Sequence, residues 1–194
     1  MLKERLTAFS DGVIAIIITI MVLELKAPHD PSWAGLAPLA PTFLAYTLSF
    51  AYVAIYWNNH HHLLQAAHRV NGAILWANMV LLFCLSLVPF STAWLSETRF
   101  AEAPVALYGV TLFAPAVAYF VLSRILIDSG ALDPKAAEAI GKDVKGKASL
   151  AFYALGIGLA SAYPHASMAL YALVAVMWLV PDPRIEASIG GAEE

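Results

Sequence analysis

The chain has 194 residues, of which 60% are hydrophobic and only 13% are charged. Soluble domains carry about 25% charged residues, so this composition excludes an ordinary soluble domain and indicates an integral membrane protein. The net charge of −3 offers no basic surface for nucleic acid, and the single cysteine, Cys84, excludes an intrachain disulfide framework.

Six apolar runs predict an all-α, polytopic membrane protein with six transmembrane helices in one domain, residues 1–194. The runs cover residues 6–25, 36–58, 70–95, 103–127, 148–163 and 165–180. The last two are short and are expected to meet in a tight hairpin at Tyr163-Pro164-His165. Residues 128–147 predict a short surface helix that begins at Asp133-Pro134, and residues 181–194 predict a polar, frayed tail.

The positions of lysine and arginine predict the orientation in the membrane. With the N-terminus in the cytoplasm, only Lys26 and Arg99 lie outside, as the positive-inside rule requires. The cytoplasmic set is then Lys3, Arg5, Arg69, Arg124, Lys135, Lys142, Lys145, Lys147 and Arg184. We therefore expect a multi-pass protein of the inner (plasma) membrane with both termini in the cytoplasm.

The first run contains a carboxylate, Asp11, which is costly at membrane depth without a partner or water. If Ser10 or Asp11 only capped the helix, the remaining run to Leu25 would be about 20 Å long, shorter than the ~30 Å hydrocarbon core. The sequence therefore favours a helix that begins between Leu2 and Leu6, with Asp11 one to two turns inside it.

Because each helical residue is rotated by about 100° from the one before, some residues of this helix fall on one narrow stripe of its surface. It comprises Arg5, Gly12, Ile16, Thr19 and Leu23, with Phe9 and Ile20 beside it. Facing a pore, such a stripe would form a hydrophobic constriction and, from Thr19, a ring of hydroxyl oxygens. The same spacing is typical of helix packing, and spacing alone does not separate the two interpretations.

Three consecutive histidines, His60 to His62, follow Trp57 near the inner end of the second run. A transition-metal site is one interpretation, because histidine is a common metal ligand. Consecutive helical side chains diverge by about 100°, however, and neither cysteine nor carboxylate is near in sequence. The favoured interpretation is that Trp57 and one or more histidines meet the polar end of the first helix around Asp11.

The third run contains two amides and a proline. Asn71 and Asn78 are seven residues apart and share a helix face, so both are expected to cross-link helices by hydrogen bonds. Pro89 is expected to break or kink the helix near its outer end. The chain shows neither a hydrolase or metalloprotease motif nor a potassium-filter signature, so we expect no enzyme activity and no cofactor.

The segment Arg5-x-x-x-Phe9-Ser10-Asp11, followed by Gly12-Val13-Ile14-Ala15-Ile16 and the residues from Thr19 to Leu25, resembles the first-helix signature of the transmembrane protein 175 family of potassium channels. The resemblance covers the first three runs and continues through Trp57 with His60 and His61, Asn78, and Pro89-Phe90-Ser91-Thr92. With one six-helix repeat, the chain is similar to the prokaryotic members, which are homotetramers.

This resemblance implies a homotetramer in the lipid bilayer, with a potassium-preferring leak pathway lined by the first helix of each subunit. It implies a constriction at Ile16, further pore-facing rings at Ile20 and Leu23, and a selectivity-linked threonine at Thr19. It also implies a structural or gating network, without ion contact, formed by Arg5, Phe9, Ser10, Asp11, Trp57, His60, His61 and Asn78.

A secondary transporter is the alternative, with Asp11 binding a coupling proton or ion. Transporters favour broken helices with ion sites near the bilayer midplane, whereas Asp11 lies near one end of an unbroken run.

Overall fold

The computed structural model describes residues 2–179, and these residues form helices joined by short loops. The helices are α1 (Leu2–Met21), α2 (Ala40–Ala66), α3 (Gly72–Ser86), α4 (Val88–Glu97), α5 (Glu102–Asp128), α6 (Pro134–Gly141), α7 (Val144–Leu159) and α8 (Pro164–Leu179). Short 3-10 helices at Val22–Glu24 and Trp33–Leu39 extend the outer ends of α1 and α2. The predicted polar tail, with Arg184, lies outside the described residues.

The structure confirms that the first helix begins between Leu2 and Leu6, as its length predicted. The helix begins at Leu2, so Ser10 and Asp11 lie inside it and neither caps it. The predicted surface helix is also confirmed as α6, whose first residue is Pro134, a favoured residue at that position because its missing amide would be unpaired there.

Four segments are long and apolar enough to cross a bilayer: Lys3–Glu24, Trp33–Ala66, Gly72–Glu97 and Glu102–Asp128. The helices α7 and α8 have 16 residues each, which gives about 24 Å at 1.5 Å per residue. Their crossing of the bilayer stays a prediction, and so does the count of six spans.

Several helix ends differ from the sequence-based bounds. The largest difference is at α2, which ends at Ala66 and not at residue 58, because the polar stretch from Asn58 to His62 continues the helix. The seventh helix begins at Val144 and not near residue 148, because the Asp143 carboxylate caps it by accepting a hydrogen bond from Gly146 N at 2.7 Å. Asn71 likewise caps α3 by accepting from Ile74 N at 2.9 Å, so the prediction that it cross-links helices is wrong. The predicted break before Pro89 is confirmed at Leu87, between α3 and α4.

The helices pack around α5, which contacts α3, α4, α7 and α8, whereas α1 packs against α2, α3 and α4. Close packing of the C-terminal part depends on two glycines, since a methyl group at Gly109 or Gly156 would collide with the ring or hydroxyl of Tyr171. Helix α1 therefore lies beside the bundle, with one face against it.

Candidate functional site

One face of α1 is buried against the bundle. Its residues recur at the three- and four-residue spacing of a single helix face and are all at most 5% exposed. They are Leu6, Ser10, Ile14, Ile17 and Met21. Since α2, α3 and α4 all contact α1, this face fixes the rotation of the helix about its own axis.

The opposite face of α1 is uncovered in the protomer. Ile16, Ile20 and Leu23 are 58%, 46% and 71% exposed, although all three are large and apolar. Thr19, which lies between Ile16 and Ile20, and Gly12, one turn before Ile16, are also exposed. The stripe predicted from spacing is therefore not the packing face of the protomer, which means that lipid or other copies of the chain must cover it.

The hydroxyl of Thr19 has a defined hydrogen-bonding state on this exposed face. Its Oγ1 donates to the carbonyl oxygen of Ile16 at 3.0 Å, one turn earlier. Because a hydroxyl has a single hydrogen, the exposed oxygen can only accept further hydrogen bonds or contact a cation.

Polar side chains from three helices meet on the buried side of α1. Asn78 of α3 donates through Nδ2 to Ser10 Oγ at 3.0 Å, and Ser10 Oγ donates to the carbonyl of Leu6 at 2.9 Å. The Nε2 of His60, on α2, lies 2.6 Å from Asn78 Oδ1. An amide oxygen can only accept, so Nε2 carries the hydrogen in this bond.

Asp11 extends this group towards the protein surface. Its carboxylate, which is half-buried, accepts a hydrogen bond from Trp57 Nε1 at 3.0 Å. The His61 ring stacks on Trp57, with ring centroids 5.8 Å apart and an angle of 28° between the planes. We use the term inner cluster for Ser10, Asp11, Trp57, His60 and Asn78, and it ties α1 to α2 and α3.

Two of the residues expected in this network do not join it within the protomer. Among residues 2–179, Arg5 forms neither a hydrogen bond nor an ion pair, and it is exposed. Phe9 is 51% exposed and lies on the same uncovered side of α1. Among residues 2–179 the structure therefore does not bring Arg5 or Phe9 into the network.

The consecutive histidines point in different directions. His60 reaches the interior and bonds to Asn78, whereas His61 stacks on Trp57. Within the described part of the chain, His, Cys, Asp and Glu side chains form no group of three or more that could hold a metal ion. His60 thus reaches Asn78 by itself, whereas the His61 and His62 rings contact each other, with centroids 5.7 Å apart.

A second buried polar group was missed by the sequence reasoning. Ser49 Oγ of α2 lies 2.7 Å from Thr92 Oγ1 of α4 and 2.9 Å from the Tyr108 hydroxyl of α5. Ser91 Oγ lies 2.8 Å from Thr111 Oγ1. We use the term outer cluster for these five residues. The segment Pro89-Phe90-Ser91-Thr92 was the available signal, since it contributes two of them.

The comparisons with known proteins agree with this arrangement. A family model described as "Endosomal/lysosomal potassium channel TMEM175" matches residues 5–89, which include most of α1 and the whole inner cluster. A potassium channel of Chryseobacterium sp. (strain P1-3) is 54% identical over 189 residues, which cover 97% of this chain and 98% of that protein. A potassium channel of Streptomyces collinus is 32% identical over 198 residues, covering 95% and 96%.

The fold also matches a solved structure. The crystal structure of a lysosomal potassium-selective channel TMEM175 homologue from Chamaesiphon minutus has a TM-score of 0.81 to this chain at 28% identity, covering 91% of this chain and 96% of that one. The human protein named "Endosomal/lysosomal proton channel TMEM175" is 32% identical over 114 residues, which cover 53% of this chain and 22% of the human protein. The chain belongs to the TMEM175 family.

Proposed function

We propose that the protein is a passive, potassium-preferring cation channel in which α1 from each of four copies lines a central pore. The observation that carries the proposal is the uncovered face of α1, where Ile16, Ile20 and Leu23 are exposed while the opposite face is packed. Lipid would be enough to cover aliphatic side chains, but bacterial relatives of nearly full coverage are named potassium channels, which favours a pore.

The aliphatic rings would act as the barrier to ions. Around a fourfold axis each residue appears four times, so Ile16 would form a hydrophobic constriction, with Ile20 and Leu23 as wider rings towards the outside. A narrow apolar constriction excludes water and can gate by dewetting. An ion would pass only with part of its hydration shell removed.

Thr19 would replace part of the hydration shell that the ion loses at the constriction. Its hydroxyl hydrogen is occupied by the Ile16 carbonyl, so four such hydroxyls would present only oxygen lone pairs to the axis. Oxygen rings of this kind replace water around a cation. Potassium loses its water more readily than sodium does, and this difference would give a modest preference for potassium.

The inner cluster would hold the pore helix in place and would not touch the ion. Its hydrogen bonds anchor the inner part of α1 to α2 and α3 on the side opposite to Ile16. Arg5 and Phe9 would complete the network across subunits, since both lie on the uncovered side of α1. Movement of α1 relative to this anchor would change the pore radius.

The expected setting is an inner membrane with both termini in the cytoplasm. In this orientation Arg69, Arg124 and the lysines of residues 135–147 lie inside, as the positive-inside rule requires. The directions of the described helices support this arrangement, because the starts of α1 and α3 lie at the same end of the bundle as the ends of α2 and α5. At this end Lys3 Nζ, near the start of α1, donates to Gln65 O, near the end of α2, at 2.9 Å. His68 N, between α2 and α3, donates to Ala131 O, just after α5, at 3.0 Å.

The test is ion flux in liposomes that contain the purified protein, with potassium and sodium gradients compared. Ile16→Asn is expected to raise the flux by at least about tenfold, because a polar ring keeps the constriction wet. Thr19→Ala is expected to reduce the preference for potassium over sodium. Leu173→Asn is the matched control, since Leu173 is 50% exposed on α8 and far from α1 in the fold.

Wild-type flux and selectivity in both α1 variants would show that this face does not line the pathway. Saturable flux that requires a pH gradient and is lost in Asp11→Asn would instead favour the coupled transporter.

Proton conduction is a second candidate, because the human relative is named a proton channel. It would use the same α1 pathway. A pH-sensitive dye inside the same liposomes measures it directly, and acidification without potassium flux would favour this candidate.

A further inference from the structure

A crevice opens at the inner end of the bundle between α5 and α7, and α2 forms its floor. It consists of two adjoining cavities of about 50 and 40 Å³, and Asn59, Tyr119, Phe120, Asp143 and Trp178 line both. A cavity needs about 10–15 Å³ to admit one water molecule, so each has room for several atoms. The crevice lies away from α1, none of whose residues lines it.

Cationic side chains line the smaller cavity, at the inner end of the crevice. Arg124 of α5 and Lys147 of α7 face it from opposite walls. Within residues 2–179 neither side chain forms a hydrogen bond or an ion pair. The neighbouring Lys142 is different, because it pairs with Glu138 at 2.6 Å and holds the pKa of that carboxyl below its usual value.

A buried hydroxyl without a partner lies beside Arg124. Ser123 is only 6% exposed and lines the same cavity, and its Oγ has no hydrogen-bond partner within the described residues. Other hydroxyls on these helices donate to their own backbone, as Thr111 does to the Tyr108 carbonyl at 2.8 Å. A buried polar group is rarely left unpaired, and a rotation of the Ser123 side chain towards the cavity would let its buried Oγ donate to a ligand there.

Three other polar side chains of the crevice already have partners. The Asp143 carboxylate caps α7 through Gly146 N, and Trp178 Nε1 donates to Ser149 Oγ at 2.8 Å. The Tyr119 hydroxyl donates to the carbonyl of Asn59 at 3.2 Å. The rest of the larger cavity is lined mainly by apolar and aromatic side chains, which include Ile55, Ala116, Phe120 and Leu150 together with Tyr52, Tyr56 and Tyr153.

We propose that this crevice binds an anionic phospholipid of the inner leaflet. The phosphate lies between Arg124, Lys147 and Ser123, and the start of an acyl chain lies along the apolar cavity. A free phosphate ion would use only the cationic end, whereas a lipid uses both. The site is separate from α1, so it does not depend on the proposed pore.

The test is native mass spectrometry of the full-length protein from micelles that contain equal amounts of phosphatidylglycerol and phosphatidylcholine. The wild-type protein is expected to retain phosphatidylglycerol preferentially. Arg124→Gln with Lys147→Gln is expected to lower this preference about twenty- to thirtyfold, since each cationic side chain near a lipid phosphate contributes about fivefold. Ser123→Ala, which leaves the net charge unchanged, is expected to lower it several-fold.

The matched control is Lys26→Gln with Lys135→Gln, which removes the same charge from exposed residues that do not line the crevice. An equal loss in this control would show general attraction of anionic lipid and would overturn the site. Retention of phosphatidylglycerol in the double crevice variant would overturn it as well. Inorganic phosphate that displaced the lipid at low millimolar concentration would show a phosphate site and not a lipid site.

Discussion

The inner and outer clusters are both buried, polar and formed between helices, but they are built from different side chains. Four side chains of the inner cluster, a carboxylate, an imidazole, an amide and an indole, take a partner from another helix, and only the fifth, Ser10, also donates to its own helix, at Leu6 O. The outer cluster contains only hydroxyls, and three of them also donate to carbonyls of their own helix, as Thr92 does to Val88 O at 2.7 Å. The inner cluster therefore depends on the correct position of its helices, whereas the outer cluster is partly satisfied by local structure.

This difference predicts that removing one side chain costs more unfolding free energy in the inner cluster than in the outer cluster. In a membrane a polar group without water must find a partner in the protein. Ser91, Thr92 and Thr111 of the outer cluster keep their backbone acceptors when a neighbour is removed. In contrast, the His60 and Trp57 rings of the inner cluster lose the one hydrogen-bond partner that another helix gives them. The anchoring of α1 is accordingly the more fragile of the two.

The largest effect is expected for Asn78→Leu. The substitution removes the bridge between His60 and Ser10 and leaves the His60 imidazole buried without a partner, which costs about 3 kcal/mol of unfolding free energy. SDS titration in mixed micelles measures this quantity. Asn71→Leu on the same helix is the control, because it removes only a surface cap and is expected to cost about 1 kcal/mol. Equal losses in the two variants would contradict the special role of the inner cluster.

A smaller effect is expected for Thr92→Val in the outer cluster. Ser49 keeps the Tyr108 hydroxyl as a partner at 2.9 Å, so the loss should be about 1 kcal/mol, near the average for an interhelical hydrogen bond in a membrane protein. Thr98→Val is the control, since Thr98 bonds only to its own helix at Trp94 and Leu95. A loss as large as that of Asn78→Leu would show that the two clusters do not differ.

The same chemical contrast explains which residues the sequence revealed. Asp11, Trp57, His60 and Asn78 are conspicuous in apolar runs, because burying such groups without partners is costly. The sequence did not show that His60 and not His61 bonds to Asn78, since this depends on the rotation of α2 about its axis. Serine and threonine are ordinary in transmembrane helices, so the segment Pro89-Phe90-Ser91-Thr92 was a weak signal for the outer cluster, and nothing in the sequence indicated its partner Ser49.

The faces of α1 show a second limit. Isoleucine occurs both on the buried face, at Ile14 and Ile17, and on the uncovered face, at Ile16 and Ile20. Hydrophobicity therefore does not distinguish the face that packs within the protomer from the proposed pore face. The bounds of α7 were missed for a related reason, because its first turn, capped by Asp143, is polar and precedes the apolar run.

The smallest effect is expected for Trp57→Phe, at the edge of the inner cluster. The substitution removes the donor to Asp11 but keeps an aromatic ring that can stack on His61. The Asp11 carboxylate is only half-buried and can recruit water, so the loss should be about 0.5 kcal/mol. A double-mutant cycle with Asp11→Asn measures the bond itself, and we expect a coupling free energy of similar size. A coupling of zero would mean that the Trp57 indole contributes only as an aromatic surface, and the bond between Ser10 and Asn78 would then be the contribution of the inner cluster to the anchoring of α1.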